Sequence, residues 1–384
     1  MGSMDILALL MMPLNVMVGY LIPFLIALTV IVFVHEFGHF IVARWCGVKV
    51  ETFSIGFGKE VTGWHDRHGT RWRIAWVPLG GYVRFEGDVN AASQAEEGAE
   101  KSLSPTSFHA KPVWQRALVV VAGPVANFIL AIAILSATYM TVGIPMTAPR
   151  IDSVVAGSAA DRAGLQPGDT FVTVNGTKIK YFNDLQEIVR PRAGETLTVE
   201  ISRNGTLHSL SLTPSVREED DGFGGKVRFG VLGVTHNTEG KDLVYERLPI
   251  HKAVALGADR TWYIISTTFK YLGQMITGHA SSDQLGGPIS IAKGAGDAAS
   301  FGPLAFLSFV AFLSVSIGLL NLFPIPMLDG GHLVFYGVEA LRGKPLGPEA
   351  QEWSFRIGFS LVLMLMVLGT FNDLVRVVSM AFGS

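Results

Sequence analysis

The residues best suited to chemistry lie together in one apolar stretch: His35, Glu36 and His39. On a helix, His-Glu-x-x-His places both imidazoles on one face, one turn apart, where they can share a zinc ion. The glutamate between them is then placed to act as general base. No charged residue occurs at positions 6–34. Because ionisable groups at the end of such a run are costly in lipid, we predict a functional zinc site inside the membrane rather than a chance match of the motif.

A third candidate ligand follows another apolar segment, in the sequence Asn-Leu-Phe-Pro-Ile-Pro-Met-Leu-Asp-Gly of residues 321–330. Pro324 and Pro326 end a helix there, and the glycines after Asp329 allow a tight turn. Two histidines and one carboxylate leave the fourth zinc position open, as catalytic zinc requires. Asp329 is otherwise a helix-ending residue at the membrane interface, but its pairing with the histidine motif favours the ligand. His332 is a weaker ligand candidate that could instead cap the helix or orient a ligand.

The composition is that of an integral membrane protein with room for one domain outside the bilayer. Of the 384 residues, 49% are hydrophobic and only 16% charged, and the mean hydropathy is +0.38. The formal net charge of −2 gives no indication of a nucleic-acid partner. Cys46 is the single cysteine, which excludes an intrachain disulfide and a thiolate metal cluster. Any metal must therefore use histidine and carboxylate ligands.

Four apolar segments approach the ~20 residues that a helix needs to cross the hydrocarbon core. They are predicted at 18–46, 113–142, 302–330 and 354–376. Basic residues are concentrated in the segment 47–112 and between the third and fourth spans, which predicts that both segments are cytoplasmic. The predicted fold is a polytopic α-helical membrane protein with four transmembrane helices, a membrane-associated β-hairpin and one α+β domain.

The cytoplasmic segment contains a stretch rich in glycine and aromatic residues. Residues 72–85 alternate as strands do, around a predicted turn at residues 78–81. Two interpretations stay open, a hairpin that dips into the bilayer against protein and an ordinary cytoplasmic hairpin. Residues 91–107, which are small, polar and acidic, are typical of a mobile linker.

Asn127 lies in the second span, within the stretch 117–149 that is free of charge. In lipid its amide needs a hydrogen-bond partner. A helix–helix contact is favoured over a direct catalytic role.

Between the second and third spans, strand-like runs alternate with turn signals at Asn175-Gly176 and Asn204-Gly205. The sequence Val-Val-Ala-Gly-Ser-Ala-Ala-Asp-Arg-Ala-Gly-Leu-Gln-Pro-Gly-Asp resembles a PDZ domain of the bacterial protease type, which predicts a PDZ-like domain at residues 147–236. PDZ domains bind peptides by adding a strand to a sheet edge, so a peptide ligand is expected. The alternative is a spacer or lid without a ligand.

The segment 250–300 is apolar but carries charged residues such as Asp259, Arg260 and Lys270. It is either a fifth span or an amphipathic helix on the membrane surface. A fifth crossing would put Asp329 on the opposite side of the membrane from the histidines. The surface helix is therefore favoured.

Together the motifs resemble the site-2 protease family of intramembrane zinc metalloproteases, and within it the bacterial regulator-of-sigma-E protease type. His-Glu-Phe-Gly-His at residues 35–39 matches the first family motif, and residues 321–330 match Asn-x-x-Pro-x-x-x-Leu-Asp-Gly. The Gly123-Pro124 and Asn127-Phe128 pairs and residues 285–296 match the bacterial branch. The likeness covers residues 21–374.

The resemblance implies zinc on His35, His39 and Asp329, with Glu36 as the catalytic base. It also implies a substrate-binding set that holds the backbone of an unwound transmembrane segment, partly by an edge strand: Asn321, Gly81, Tyr82, Val83, Arg84 and Phe85. The implied substrates are single-pass membrane proteins already cut once, such as anti-sigma factors, and remnant signal peptides. The implied location is the bacterial inner membrane, with the PDZ-like domain in the periplasm and the site towards the cytoplasm. Well-known members carry two tandem PDZ domains, whereas this chain has room for one.

Two other functions would use parts of the same pattern. A metal transporter could use the same ligands, but its polar residues would follow several spans and its halves would look alike. A non-catalytic scaffold could present the PDZ-like domain, but it would not need two histidines, a glutamate and an aspartate at one depth. Both are less well supported than the protease.

Overall fold

The structure, a computed structural model, describes residues 17–87, 104–220, 226–235, 243–277 and 286–382. The chain divides into two units, one of Met1–Ala137 with Ala253–Ser384 and one of Thr138–Lys252. The linker predicted at residues 91–107 lies mostly outside the described residues. After a π-helical turn at Met17–Leu21, the first unit begins with these elements: α1 (Ile22–Trp45), β1 (Val50–His65), β2 (Arg71–Phe85), a 3-10 turn (Phe108–Ala110) and α2 (Val113–Thr141).

The second unit is a small α+β domain. Its elements are β3 (Ile144–Thr147), β4 (Ser153–Val154), α3 (Ala159–Arg162), β5 (Thr170–Val174), β6 (Thr177–Lys178), α4 (Phe182–Val189), β7 (Leu197–Arg203), β8 (Thr206–Leu212), β9 (Ser215–Asp220), β10 (Lys226–Val231), β11 (Val234–Thr235) and β12 (Leu243–Glu246). A four-stranded sheet has the order β6-β5-β7-β8. Both predicted Asn-Gly turns join neighbouring strands of it, with positive φ at all four residues, as tight hairpins need.

The remaining helices return to the first unit. They are α5 (Ile250–Ile276), α6 (Pro288–Ser300), α7 (Pro303–Asn321), α8 (Asp329–Arg342) and α9 (Pro348–Phe382). Within the predicted third span of 302–330, α7 ends at Asn321 and a loop follows as far as α8, which starts at Asp329 and continues beyond the predicted bound. Gly302, with φ of 109°, and Pro303 start α7, and Gly343 in the left-handed region ends α8.

Four of the described helices are long and apolar enough to cross a membrane, as predicted: Val18–Trp45, Val113–Thr141, Pro303–Asn321 and Glu349–Val375. α5 is not among them. Its small residues Ala253 and Gly257 lie against α2, where the Ser136 hydroxyl contacts Ala253 O at 3.3 Å and a Cβ on Gly257 would lie 3.1 Å from Ile132 O. Close backbone approach of this kind is how helices associate in lipid.

The helix α9 is attached to α6 by a buried carboxylate. Asp373 is 1% exposed and accepts hydrogen bonds from the backbone N–H and the hydroxyl of Ser290, in the first turn of α6. Next to it, a Cβ on Gly287 would lie 2.6 Å from the Gly369 backbone. The segment 285–296, which resembles the bacterial branch, therefore contains the N-terminus of α6, and Asp373 of α9 caps it.

The sheet of β1 and β2 differs from the predicted hairpin, because residues 71–85 form one bent strand and β1 pairs with both of its arms. Residues 52–55 of β1 pair both with residues 81–84 and with residues 71–74 of β2. The residues 78–81, predicted as a turn between paired strands, instead form a bend within β2, where Gly80 has φ of 121°. On its other side, the arm 81–85 pairs with no strand among the described residues.

The sheet lies along α1. The Thr29 hydroxyl donates to Pro78 O at 3.2 Å, and a Cβ on Gly81 would lie 3.5 Å from both Val32 and Glu36. Because Thr29 lies well inside a candidate spanning helix, β2 follows that helix into its apolar part. This favours the interpretation of a hairpin embedded in the membrane over that of a free cytoplasmic hairpin.

One carboxylate fastens the other end of the sheet to α1. Asp66, between β1 and β2, accepts hydrogen bonds from the Arg44 guanidinium, the Trp72 indole at 3.1 Å and the backbone N–H groups of His68 and Thr70. Burial raises the pKa of Asp66, but these donors outweigh it and lower the pKa from 3.8 to about 2. The charged form is therefore the one that the fold stabilises.

We expect Asp66→Asn to lower the free energy of unfolding at pH 7 by about 1–2 kcal/mol, because the charge paired with Arg44 is lost. Since the folded pKa lies below the usual value, this stabilisation is present above pH ~4 and disappears as the pH falls through about 2. Thermal unfolding in detergent as a function of pH measures both. Glu51→Gln, which breaks the more exposed pair with Arg84, is the control and should cost less. Equal unfolding curves for the Asp66→Asn variant and the parent at pH 7 would contradict the assignment.

Candidate metal centre

The helix α1 brings the two motif histidines together on one face. Their rings are 4.8 Å apart, and His35 Nε2 and His39 Nε2 are 3.2 Å apart. Asp329 Oδ2 lies 3.1 Å from His35 Nε2 and 3.6 Å from His39 Nε2. One donor atom from each of the three residues lies within 4.8 Å of the others. The structure thus assembles the three predicted ligands from two separate helices.

The other ring nitrogens face polar groups on α2. His39 Nδ1 lies 2.9 Å from Val119 O, and His35 Nδ1 lies 3.2 Å from the Asn127 side chain. Because a carbonyl oxygen can only accept, His39 Nδ1 carries the hydrogen and its Nε2 presents a lone pair. This arrangement is the usual one for a histidine that binds a metal.

The donor set fits zinc. Asp329 Oδ2 is buried and has no hydrogen-bond partner among the described residues, although both imidazoles are within 3.6 Å of it. Electron-pair donors that face one another in a buried place repel unless a cation lies between them. Two imidazoles and one carboxylate are the ligands of many catalytic zinc sites. His35, His39 and Asp329 are therefore the residues that would hold the ion.

Close helix packing keeps these ligands in place. A Cβ on Gly123 of α2 would lie 2.3 Å from His39 Nε2 and 2.9 Å from His35 Nε2. A Cβ on Gly38 of α1 would lie 2.4 Å from Ala122 O. Glycine at both positions lets the backbones approach until α2 lies directly against the imidazoles.

A loop without regular structure presents Asp329. Met327 has φ of 93°, a strained conformation for a residue with a side chain. Gly330 and Gly331 pack against the backbone of the preceding loop, where a Cβ would lie 2.2 Å from Phe323 O or 2.4 Å from Ile325 O. The tight turn expected from the sequence is thus fixed by backbone packing on the loop itself.

Glu36 lies between the metal ligands and the sheet. The backbone N–H of Val83 donates a hydrogen bond to the Glu36 carboxylate. A Cβ on Gly81 would approach Glu36 Cγ to 3.5 Å. The free-edged arm of β2 therefore orients the candidate base directly.

A cavity of about 280 Å³ opens at this place. Predicted site residues that line it are His35, Glu36, His39, Gly81, Tyr82, Val83, Phe85, Asn321 and Asp329. Arg84, which was predicted with them, does not line the cavity; its guanidinium pairs with Glu51 at 3.0 Å. The weaker candidate His332 lines the cavity without belonging to the three-residue donor cluster.

Several residues of the site have no signal in the sequence motifs. Phe108 lines the cavity and stacks on Phe85 with ring centroids 4.9 Å apart. Tyr336 lies under the Arg116 guanidinium, which is 5.0 Å from its ring centroid. Arg116 in turn pairs with Glu339 through contacts of 2.6 and 3.1 Å, both side chains being largely buried, and so connects α2 to α8. The sequence predicts the helix that carries Arg116, but neither α8 nor the contacts between these residues.

We expect Gly123→Ala to weaken zinc binding about tenfold or more, because the added methyl occupies the space of both imidazoles. The affinity is measured by competition with a chelator. Gly337→Ala on α8 is the matched control, since a Cβ there meets nothing within 4 Å, and it should leave the affinity unchanged. Equal affinities for both variants would show that the helix contact does not position the ligands.

Comparison with known proteins agrees with this geometry. The family model described as "Peptidase family M50" matches residues 23–365. Two relatives bear the name "Putative zinc metalloprotease": one from Agrobacterium fabrum, 45% identical over 361 residues (93% of this chain, 96% of the relative), and one from Rhizobium meliloti, 46% identical over 360 residues (92% and 96%). A "Metalloprotease" of Caulobacter vibrioides is 39% identical over 390 residues (94% and 97%). The chain belongs to peptidase family M50, the site-2 protease family of zinc metalloproteases.

Proposed function

We propose that this protein hydrolyses a peptide bond within the transmembrane segment of a single-pass membrane protein. The observation that carries the proposal is the meeting of His35, His39 and Asp329 beside Glu36, next to a sheet edge that no further strand among the described residues covers. A water-dependent cut inside lipid needs a metal site, a base and a place for an unwound segment. These three groups supply them.

His35, His39 and Asp329 would hold zinc, and the ion, when bound, would lower the pKa of a water towards ~7 and polarise the scissile carbonyl. Glu36 takes the proton of the attacking water and returns it to the leaving amine. The Val83 N–H keeps the Glu36 carboxylate turned towards the cavity. The rest of the cavity wall is largely apolar, which lowers the dielectric around these few polar groups.

The arm of residues 81–85 offers the edge on which the substrate is bound. A peptide bond inside a helix is hidden from attack, so the substrate must unwind, and an extended strand on a free edge recovers the lost hydrogen bonds. Gly81, Tyr82, Val83 and Phe85 bring this edge to the cavity, and Asn321, which lines the same cavity, holds the substrate backbone. Arg84 takes no part in this cavity and contributes through Glu51 to the sheet.

The cellular setting is part of the same proposal. The lipid bilayer of the bacterial inner membrane is the medium, with the site towards the cytoplasm and the unit Thr138–Lys252 in the periplasm. We take that unit as a single PDZ-like domain of the regulator-of-sigma-E type, which binds a peptide end or excludes untrimmed substrates. The substrates are anti-sigma-factor-like proteins after a first cut, and remnant signal peptides. No nucleic acid is involved.

We expect Glu36→Gln to abolish cleavage of a single-pass model substrate while zinc stays bound, because the amide cannot take a proton and the ligands are intact. Asp329→Asn should weaken both cleavage and zinc binding. Purified protein in detergent is assayed for cleavage by gel electrophoresis and for zinc by elemental analysis. Undiminished turnover by the Glu36→Gln variant would remove this residue from the reaction. Stoichiometric zinc without cleavage of any trimmed substrate would instead point to transport or scaffolding.

We expect a cysteine at Tyr82 to form a disulfide with a cysteine near the scissile bond of the substrate, because the substrate strand lies along the arm 81–85. The experiment uses the Glu36→Gln, Cys46→Ser background, so that the substrate is not cut and no other thiol competes. Trp64→Cys, at the exposed far arm of the sheet, is the matched control. Equal cross-linking at both positions would mean that the substrate does not lie on this edge.

A further inference from the structure

The side chain of Asn127 is a completely buried polar group beside the proposed metal ligands, with 0% of the residue exposed. It projects from α2 towards α1, and its amide nitrogen lies 3.2 Å from His35 Nδ1. Its backbone is fixed from the other side, because the Ser314 hydroxyl donates to Asn127 O at 2.8 Å and a Cβ on Gly318 would lie 3.1 Å from Asn127 Cβ. The amide of this buried and firmly held side chain is therefore in position to form a hydrogen bond with the imidazole of His35.

The hydrogen bonds available to this pair define two states. With Asn127 Nδ2 towards His35, the amide donates to Nδ1, and His35 must carry its hydrogen on Nε2, where it faces Asp329 at 3.1 Å. Asn127 Oδ1 is then buried without a partner among the described residues. With the amide rotated by 180°, Oδ1 accepts a hydrogen bond from His35 Nδ1–H, and Nε2 presents a lone pair towards His39 and Asp329.

Only the second state gives His35 the same tautomer as His39, with a lone pair on Nε2. His39 Nδ1–H donates to Val119 O, so that His39 Nε2 already presents a lone pair. A cation held by both imidazoles requires the same of His35. The orphaned Oδ1 is the acceptor that this state needs.

We propose that Asn127 is a positioning residue, whose side-chain oxygen holds His35 in the tautomer and orientation that bind zinc. The inference rests on the ligand set proposed above. Asn127 does not touch the reacting atoms and acts through His35 alone. The polar residue of the second span is thus more than the helix–helix contact favoured from the sequence.

The test compares two substitutions of similar size. Asn127→Leu removes the acceptor, and zinc affinity, measured by competition with a chelator, should fall about 10–100-fold, the usual effect of losing such a partner. Asn127→Asp keeps an acceptor and should stay within about threefold of the parent. Ser136→Ala, a buried polar residue further along α2 that has no contact with the histidines, is the control for packing. Melting temperatures accompany each affinity.

The outcomes separate this inference from the proposed ligand set. Zinc bound by the parent and lost in His35→Ala supports that set whatever Asn127 does, and zinc retained in His35→Ala removes both. Given the first result, parent-like affinity in the Leu variant overturns the role of Asn127. If the Leu variant does not fold, the Asp variant decides alone: loss of zinc at an unchanged melting temperature overturns the role.

A second measurement distinguishes orientation from packing. With cobalt(II) in place of zinc, the visible absorption of the Asn127→Leu variant should shift or weaken relative to the parent, because the His35 ring is no longer fixed. The Asn127→Asp and Ser136→Ala variants should keep the parent spectrum. At saturating zinc, the Leu variant should lower kcat and leave KM nearly unchanged. An unchanged spectrum for the Leu variant, or a change confined to KM, overturns the proposal.

Discussion

The structure of the first unit depends on one electrostatic constraint: lone pairs of two imidazoles and a carboxylate meet where there is little water to separate them. Asp329 Oδ2 has no hydrogen-bond partner among the described residues, and His35 and His39 lie close to it. In a medium of low dielectric this arrangement is costly without a cation. The glycine contacts at α2 and the loop before α8 hold the donors together against this repulsion. A cation bound between these donors would remove this cost.

The sheet β1–β2 is coupled to the same helix that carries the ligands. Thr29, well inside α1, contacts Pro78, and Arg44, near the C-terminal end of α1, contacts Asp66 of the sheet segment. Between these two contacts, Glu36 accepts a hydrogen bond from the Val83 N–H. Helix, base and strand edge therefore form one block. α9, by contrast, has most of its surface exposed and is attached through Asp373, glycine contacts and Phe355, which packs on His332 and Phe335 of α8.

Local rules in the sequence were sufficient for part of this architecture. The helical period puts His35 and His39 on one face, Pro-Gly chemistry predicts the turn at Asp329, and the Asn-Gly pairs at residues 175 and 204 give the hairpins of the second unit. Contacts between distant segments follow no such rule. The double pairing of residues 52–55, the Arg116–Glu339 pair and the exclusion of Arg84 from the cavity depend on tertiary packing. For Asn127 the sequence shows the need for a partner but not which partner.

The cavity beside Glu36 is large enough to hold water, the second reactant of hydrolysis. Hydrolysis consumes one water per bond, and the hydrocarbon around the spanning helices holds almost none. A void of about 280 Å³ with histidine, carboxylate and amide groups in its wall is many times larger than the ~10–15 Å³ that one water needs, and it offers the polar contacts that retain water. The cavity therefore has room, and polar groups in its wall, for several water molecules beside Glu36.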